Sequence, residues 1–364
     1  MTNDAEKQTI LARLALLSAG LTHKELARLV ELSGDAAELL QADAEWFLEA
    51  GIPGEKGMKA QSEACLAAAE KEIKLAEKHG IRILVPESDA YPDELRLIHD
   101  NPPVLYVQGE LKSGERRLAM VGTRKPSPQG ERHARLFARD LARAGACIVS
   151  GLALGIDAAA HEGALDGEGR TIAVLGSGLL RIYPENHHRL ARRIAGCGAL
   201  VSEFPLEKEP EHWHFPMRNR IISGLSSAVL VVEAPLKSGA LITADQALEQ
   251  GKDVFAIPGA IHTKFSRGTN ALIRQGAACI TEPADVLFEL GWGGAAAGKP
   301  KPERASSDDP VIKALENGEA MTFEEIAFQT GIEAGELLGR LSALEAGGAL
   351  RQIAGGRFTI REFF

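Results

Sequence analysis

Between residues 81 and 300 short apolar runs alternate with amphipathic ones, and this alternation limits the possible folds more than any other feature of the chain. The apolar runs are LAMVG, CIVSG, TIAVLGSG, ALVSE, AVLVVEA, DVFAIPG and ACITE. Stretches with helical spacing, such as PQGERHARLFARDLARAG and ALITADQALEQG, separate them. Strands that read as continuous apolar runs are buried on both faces, and the helices between them carry the chain back for parallel pairing. A doubly wound, mainly parallel α/β sheet is therefore expected. Two further extended stretches, IRILVP and PPVLYVQG, precede the first strand and imply an extended Rossmann-like version of that fold.

The flanks differ in composition. Residues 1–79 are rich in Ala, Leu, Glu and Lys and show helical spacing in ILARLALLS, HKELARLVEL and ACLAAAEKEIKLAEKHG, so a small helical domain is expected there. Residues 80–291 form the α/β domain. Gly, Ala, Pro and charge without periodicity mark a linker over 292–308. Residues 309–364 read as helix, helix, turn, helix and two short strands joined at Gly355-Gly356, the order of a winged helix.

Net charge is −9, but its distribution matters more than its sum. Residues 1–80 carry 9 Lys/Arg against 14 Asp/Glu, 301–364 carry 7 against 11, and 81–300 carry 25 of each. Within 115–143 there are 8 basic and 3 acidic residues, so a basic surface belongs to the central domain. No apolar run approaches the ~20 residues of a membrane span, and the amino terminus lacks a secretory pattern, so a cytoplasmic protein is expected. Cys65, Cys147, Cys197 and Cys279 lack metal-ligand or disulfide spacing and are expected to be reduced core or near-core residues.

In an open parallel sheet ligands bind at the carboxyl ends of the strands, so the loops there carry the functional question. Those loops read VGTRKPSPQG, SGLALGIDAAAH and LGSGLLRIYPENHH. Each holds glycine at or near the strand end, which either makes a tight turn or lets backbone N–H groups approach an anion. The first does not fit G-x-G-x-x-G, because Arg124 stands where pyrophosphate needs a small residue. No G-x-x-x-x-G-K-[ST] occurs, which excludes P-loop hydrolysis. Three such loops side by side, with Arg124 in one, suit an extended polyanion. The stretch HWHFPMRNRIISGLS adds Trp213 and Phe215 ahead of a helix that begins near Pro216, with Arg218 and Arg220 in its first turns. Arginines there oppose the helix dipole and must meet either carboxylates of the fold or phosphates of a ligand. Cations beside aromatics resemble the stacking grooves that hold single-stranded nucleic acid.

The strings GTRKPSPQG, SGLALGIDAAAH, TIAVLGSGLLRIYP, HFPMRNRIISGLS, KSGALITADQALEQGKDVFAIPG and SRGTNALIRQGA closely resemble the bacterial DprA (Smf, DNA-processing) family over about residues 80–290. The resemblance implies an extended Rossmann-like domain that binds single-stranded DNA without hydrolysing nucleotide. It also implies a homodimer, loading of RecA during natural transformation, a sterile-alpha-motif-like amino-terminal domain and a winged-helix-like carboxyl-terminal one. It places Gly122, Thr123 and Arg124, with Lys125 beside them, in the first binding loop, and Ser150, Gly151, Ala153, Gly155, Ile156 and Asp157 in the second, with Ser150, Gly151 and Gly155 as the binding residues. Phe215 falls on the base-stacking aromatic, Arg218, Asn219 and Arg220 on F-P-x-R-N-R, and Lys237, Ser238 and Gly239 on the third loop. Glu185 and His212 depart from the family pattern, which often has lysine at both places. Phosphate contact at His212 is then weaker or pH-dependent.

No cofactor, metal site or catalytic set is expected. Asp157 and His161 lie one helical turn apart, a spacing for a helix-stabilising contact. His187, His188 and Arg189 sit at a helix start within reach of phosphate. The rival reading is a nucleotide-processing enzyme of the nucleoside-phosphate glycosidase type. Such an enzyme needs a pocket glutamate, and Glu203 and Glu233, each at a strand end, are the candidates.

Overall fold

The computed structural model describes residues 4–292, 309–315, 321–346, 350–353 and 357–360. By compactness the chain divides into a unit ending at Trp292 and a carboxyl-terminal unit from Gly293.

The first unit opens with helices α1 (Asp4–Ser18), α2 (His23–Ser33), α3 (Ala44–Glu49), α4 (Gly54–Lys59) and α5 (Glu63–Lys78). Side chains stop and start them. Thr22 and Glu25 form a reciprocal capping box on α2, and Asp43 and Ser62 cap α3 and α5. Their core of Leu16, Leu26 and Phe47 continues into Tyr106, Leu175 and Leu200 of the α/β portion. Polar contacts cross the same boundary: buried Arg13 donates to the carbonyl of Pro103 and pairs with Glu87, and Glu72 accepts from the backbone of Leu206.

The sheet strands are β1 (Arg82–Leu84), β2 (Leu105–Gly109), β3 (Arg117–Val121), β4 (Cys147–Ser150), β5 (Thr171–Val174), β6 (Ala199–Ser202), β7 (Ala228–Val231), β8 (Asp253–Ala256) and β9 (Ala278–Cys279). Among the described residues they make one sheet in the order β1-β2-β6-β5-β4-β3-β7-β8-β9, parallel from β6 to β9 and antiparallel at β1 and β2. Each apolar run read from the sequence contains all or nearly all of one of these strands, trimmed where its end becomes a loop.

The connecting helices are α6 (Asp93–Arg96), α7 (Pro128–Arg143), α8 (Ile156–Asp166), α9 (His188–Cys197), α10 (His214–Gly224), α11 (Gly239–Glu249), α12 (Arg267–Arg274) and α13 (Pro283–Glu289). All residues of β3 to β7 are buried, and their alternation serves two helical layers. Leu118 and Met120 face Phe137 and Ala160 of α7 and α8, while Ala119 and Val121 face Ile221 and Ala244 of α10 and α11. The chain leaves β3 toward β4, β5 and β6, then returns to β7 on the other flank of β3. That reversal opens a crevice between the carboxyl ends of β3 and β7.

The carboxyl-terminal unit contains α14 (Pro310–Leu315), β10 (Met321–Thr322), α15 (Phe323–Thr330), α16 (Ala334–Ala346), β11 (Leu350–Ile353) and β12 (Arg357–Ile360). Among the described residues its three strands pair antiparallel in the order β10-β12-β11 over a small core of Val311, Leu315, Ile326, Leu337 and Leu341. The expected Gly355-Gly356 turn and all of the expected linker except Trp292 lie outside the described residues.

Cysteine placement corrects one expectation. Cys65 and Cys147 are buried and Cys197 is half-buried, but Cys279 is exposed, because β9 is a sheet edge with one side open.

Candidate functional site

A cleft of ≈ 350 Å³ occupies the crevice between β3 and β7. Its walls are the loop after β3, the loop after β7 with the first turn of α11, and the first turns of α10, with Ala153 and Asp157 reaching it from the loop after β4 and the start of α8. Of the residues expected to bind, Gly122, Thr123, Arg124, His212, Phe215, Arg218, Asn219, Lys237, Ser238 and Gly239 line it. Lys125 is exposed next to that rim. Residues at separate points of the sequence thus meet because three strand ends converge.

The loop after β3 is held from below by a buried carboxylate. Glu233 accepts from the backbone N–H of Ser127 at 2.8 Å and from its hydroxyl at 2.7 Å, while Ser127 caps α7 by accepting from Gly130. The backbone of Thr123 accepts from Ile156 and donates to the carbonyl of Glu233. Arg124 is left exposed at the tip. Its guanidinium carbon lies 4.8 Å from the centre of the Phe215 ring, a cation–π distance.

Phe215 is half-buried and sits over Gly176, where a Cβ would come within 2.8 Å of the ring. Tyr183 flanks it at 5.7 Å between ring centres with a 42° tilt. Trp213 is exposed, and its indole N–H donates to Glu211 at 2.6 Å. His214 is buried between Phe204 and Trp213, 4.0 and 4.2 Å between ring centres. Burial holds its pKa below the ordinary imidazole value, against the pull of Glu211, so it belongs to the support beneath the aromatic rim.

The two arginines of α10 behave differently from Arg124. Arg218 is 3% exposed; it donates to the carbonyl of Gly151 at 2.8 Å and to that of Val174, tying the ends of β4 and β5 to the floor of the cleft. Burial pulls its pKa down to about 10, with the neighbouring Asp157 opposing, so it is still cationic at neutral pH. Burial likewise raises the pKa of Asp157, whose carboxylate accepts from the backbone of Gly151 and Ala153, with Arg218 opposing.

Arg220 does not line the cleft. Its guanidinium makes a two-point pair with Glu203 at 2.7 and 2.6 Å and donates to the carbonyl of Asp100 at 2.8 Å. Burial works against its charge, but the Glu203 carboxylate outweighs this and holds its pKa above the ordinary value. Of the two alternatives open to an arginine at this helix start, Arg220 takes the carboxylate.

The second loop reaches the cleft only in part, through Ala153 and Asp157. Ser150, Gly151 and Gly155 do not line the cleft. The Ser150 hydroxyl is buried and donates to the carbonyl of Met120 at 2.6 Å. Gly155 has φ +82°, and a Cβ there would sit 2.5 Å from the carbonyl of Thr123, so glycine is needed where two loops press together. These residues shape the cleft from behind. Asp157 and His161 make no hydrogen bond to each other: His161 Nδ1 lies 2.7 Å from the Thr171 hydroxyl, and burial drives its pKa to about 3. Of the helix-start group, His187 Nδ1 is 2.9 Å from the carbonyl of Leu152, while His188 and Arg189 are exposed.

Neither candidate glutamate of the enzyme reading faces the cleft. Glu203 is taken by Arg220, with His23 3.3 Å away, and Glu233 by Ser127. The cleft wall includes further positions with no earlier signal, among them Ile222, Ile242 and Thr243. Helical spacing from Arg218 to Ile222 and from Gly239 to Thr243 places them on faces shared with expected residues.

The family model for DNA recombination-mediator protein A matches residues 82–291. Protein Smf of Escherichia coli is 44% identical over 289 residues, 76% of this chain and 77% of that protein. DNA processing protein DprA of Bacillus subtilis is 45% identical over 215 residues, 58% of this chain and 72% of that protein. Among solved structures, DNA processing protein A of Streptococcus pneumoniae superposes with a TM-score of 0.69 at 36% identity, covering 76% of this chain and 95% of that one. A structure describing the single-stranded DNA binding mode of DNA processing protein A from Helicobacter pylori gives 0.53 at 34% identity, covering 58% and 95%.

Proposed function

Because this chain belongs to the DNA recombination-mediator protein A family, we propose that it binds single-stranded DNA in the β3/β7 cleft without chemical turnover. The observation that carries this reading is the Arg124–Phe215 pair at the rim. An exposed cation over a half-buried aromatic offers a phosphate contact and a stacking surface at one place. Such a unit favours unpaired strands, because every base has a face to stack once it is released from a duplex. Lys125, His212 and Lys237 add positive or protonatable groups beside it, and Arg218 contributes its field from the floor. A single-stranded DNA binding mode is described for the Helicobacter pylori relative, which supports the same ligand here.

The finer parts of the proposal follow from the family. The protein acts in the cytoplasm as a homodimer, protects incoming single strands and loads RecA on them during natural transformation. No nucleotide is consumed, since the glutamates that could serve as acid or base are committed within the fold. The carboxyl-terminal unit contacts protein instead of DNA. The arginine of α16, Arg340, is paired with Glu336 at 2.9 Å on the same helix, so that helix offers little positive field to phosphate.

A mobility-shift titration of single- against double-stranded DNA over a salt series tests the reading. Tighter, salt-sensitive binding of single strands is expected. Equal affinity for duplex, or release of base from nucleoside monophosphates, would overturn it.

A further inference from the structure

The SRGTN stretch that opens α12 does not line the cleft just described, yet its own glycine is pinned to the cleft wall. Gly268 donates its backbone N–H to the carbonyl of Ala234 at 2.7 Å, and a Cβ on Gly268 would lie 2.5 Å from that oxygen and 3.0 Å from the carbonyl of Pro235. Pro235 lines the cleft. The loop after β8 is thus pressed against the loop after β7, and only glycine permits the approach. Its own shape is fixed by Asn270, which donates to the carbonyl of Gly259 at 2.8 Å and accepts from its N–H at 3.1 Å, and by the Thr263 hydroxyl, which accepts from the backbone of Phe265.

This fixed loop repeats the physical unit of the cleft rim. The Lys264 ammonium lies 5.2 Å from the centre of the half-buried Phe265 ring, as the Arg124 guanidinium lies 4.8 Å from that of Phe215. Lys264 and Arg267 are both exposed. Among the described residues, neither they nor Lys237, Arg124 or Lys125 has a carboxylate within 4.0 Å. Unpaired cations therefore run across the carboxyl ends of β3, β7 and β8, neighbours in the sheet. Two strand spacings make about 10 Å, about three nucleotides at a stacked rise of about 3.4 Å.

We propose that Lys264, Phe265 and Arg267 form a second subsite for single-stranded DNA. A strand that fills the β3/β7 cleft continues over the β7 loop, stacks a further base on Phe265 and places phosphates against Lys264 and Arg267. This rests on the single-strand reading of the cleft. In the free protein the ammonium over Phe265 holds the place of the base, and on binding it is released to a phosphate.

The test is a length series of oligothymidylates, from about 4 to about 16 nucleotides, with the full chain and its variants. Phe265→Ala should cost roughly tenfold in affinity for the longest oligonucleotide, as expected for one lost stacking contact, and less than about twofold for the shortest. Phe265→Tyr should restore it. If Phe265→Ala does not fold, Lys264→Gln with Arg267→Gln carries the test. This exposed pair should lower the salt slope by about 1.4 for the longest oligonucleotide, about 0.7 for each phosphate contact, and leave the shortest unchanged. Arg124→Ala, in contrast, should weaken every length. A wild type that binds no length overturns the cleft reading together with the subsite. Binding unaffected by either variant, or weakened equally at all lengths, overturns the subsite alone. Light scattering that shows altered subunit stoichiometry in the variants, with equal loss at all lengths, would reassign the patch to contact between protein chains.

Discussion

Arginine does opposite work on the loop after β3 and on helix α10, although the two segments face each other across one cleft. Arg124 stands exposed on the loop, with a ring beneath it and no carboxylate beside it. Arg218 and Arg220 are buried on the helix, one bonded to strand-end carbonyls and the other to Glu203. The difference teaches that a basic motif at such an edge has two parts. The helix residues set the positions of the strand ends, and the loop residue is left free of carboxylate partners.

The largest expected effect separates those parts by stability. Arg220→Ala leaves Glu203 buried and uncompensated, so it should cost about 3–5 kcal/mol of unfolding free energy in denaturant titration. Protein that remains folded should keep its single-strand affinity within a few-fold. A large loss of affinity with unchanged stability would place Arg220 among the DNA contacts and break the comparison.

Arg124→Ala should do the reverse. Stability should change by no more than about 0.5 kcal/mol, as for other exposed positions, while affinity falls for all sequences and the salt slope drops by about 0.7. An unchanged slope would remove Arg124 from phosphate contact. The smallest effect is expected from deleting residues 293–364. The first unit has its own cores, and Arg340 in the second is already paired. Single-strand affinity should stay within a few-fold, and collapse of binding in a folded truncation would extend the interface to the second unit.

Much of the α/β architecture was legible because burial on two faces and on one face leave different patterns along a chain. Continuous apolar runs marked β3 to β7, and amphipathic spacing marked α7 and α11. The cleft was legible in outline, since ligand loops lie at carboxyl strand ends and Arg124, Phe215 and Lys237 could be found from their loops. The signal failed where one residue type has two uses. Glycine in SGLALG reads the same whether its N–H groups meet an anion or its missing Cβ lets two loops touch, and Gly155 does the second. Asp157 and His161 have the spacing for a contact on one helix, yet they turn to Gly151 and to Thr171, partners from other segments.

The sequence by itself determined which segments are strands and helices, that the sheet is mainly parallel and which loops stand at its carboxyl edge, because these depend on local periodicity and on burial. Only the tertiary structure decided which arginine is free. Whether a guanidinium is available to a ligand depends on the nearest carboxylate or carbonyl, and for Arg220 those groups are Glu203 and Asp100, brought in by β6 and by the turn ahead of β2. Charge acts through space, so its use is fixed by neighbours that adjacency in the chain does not reveal.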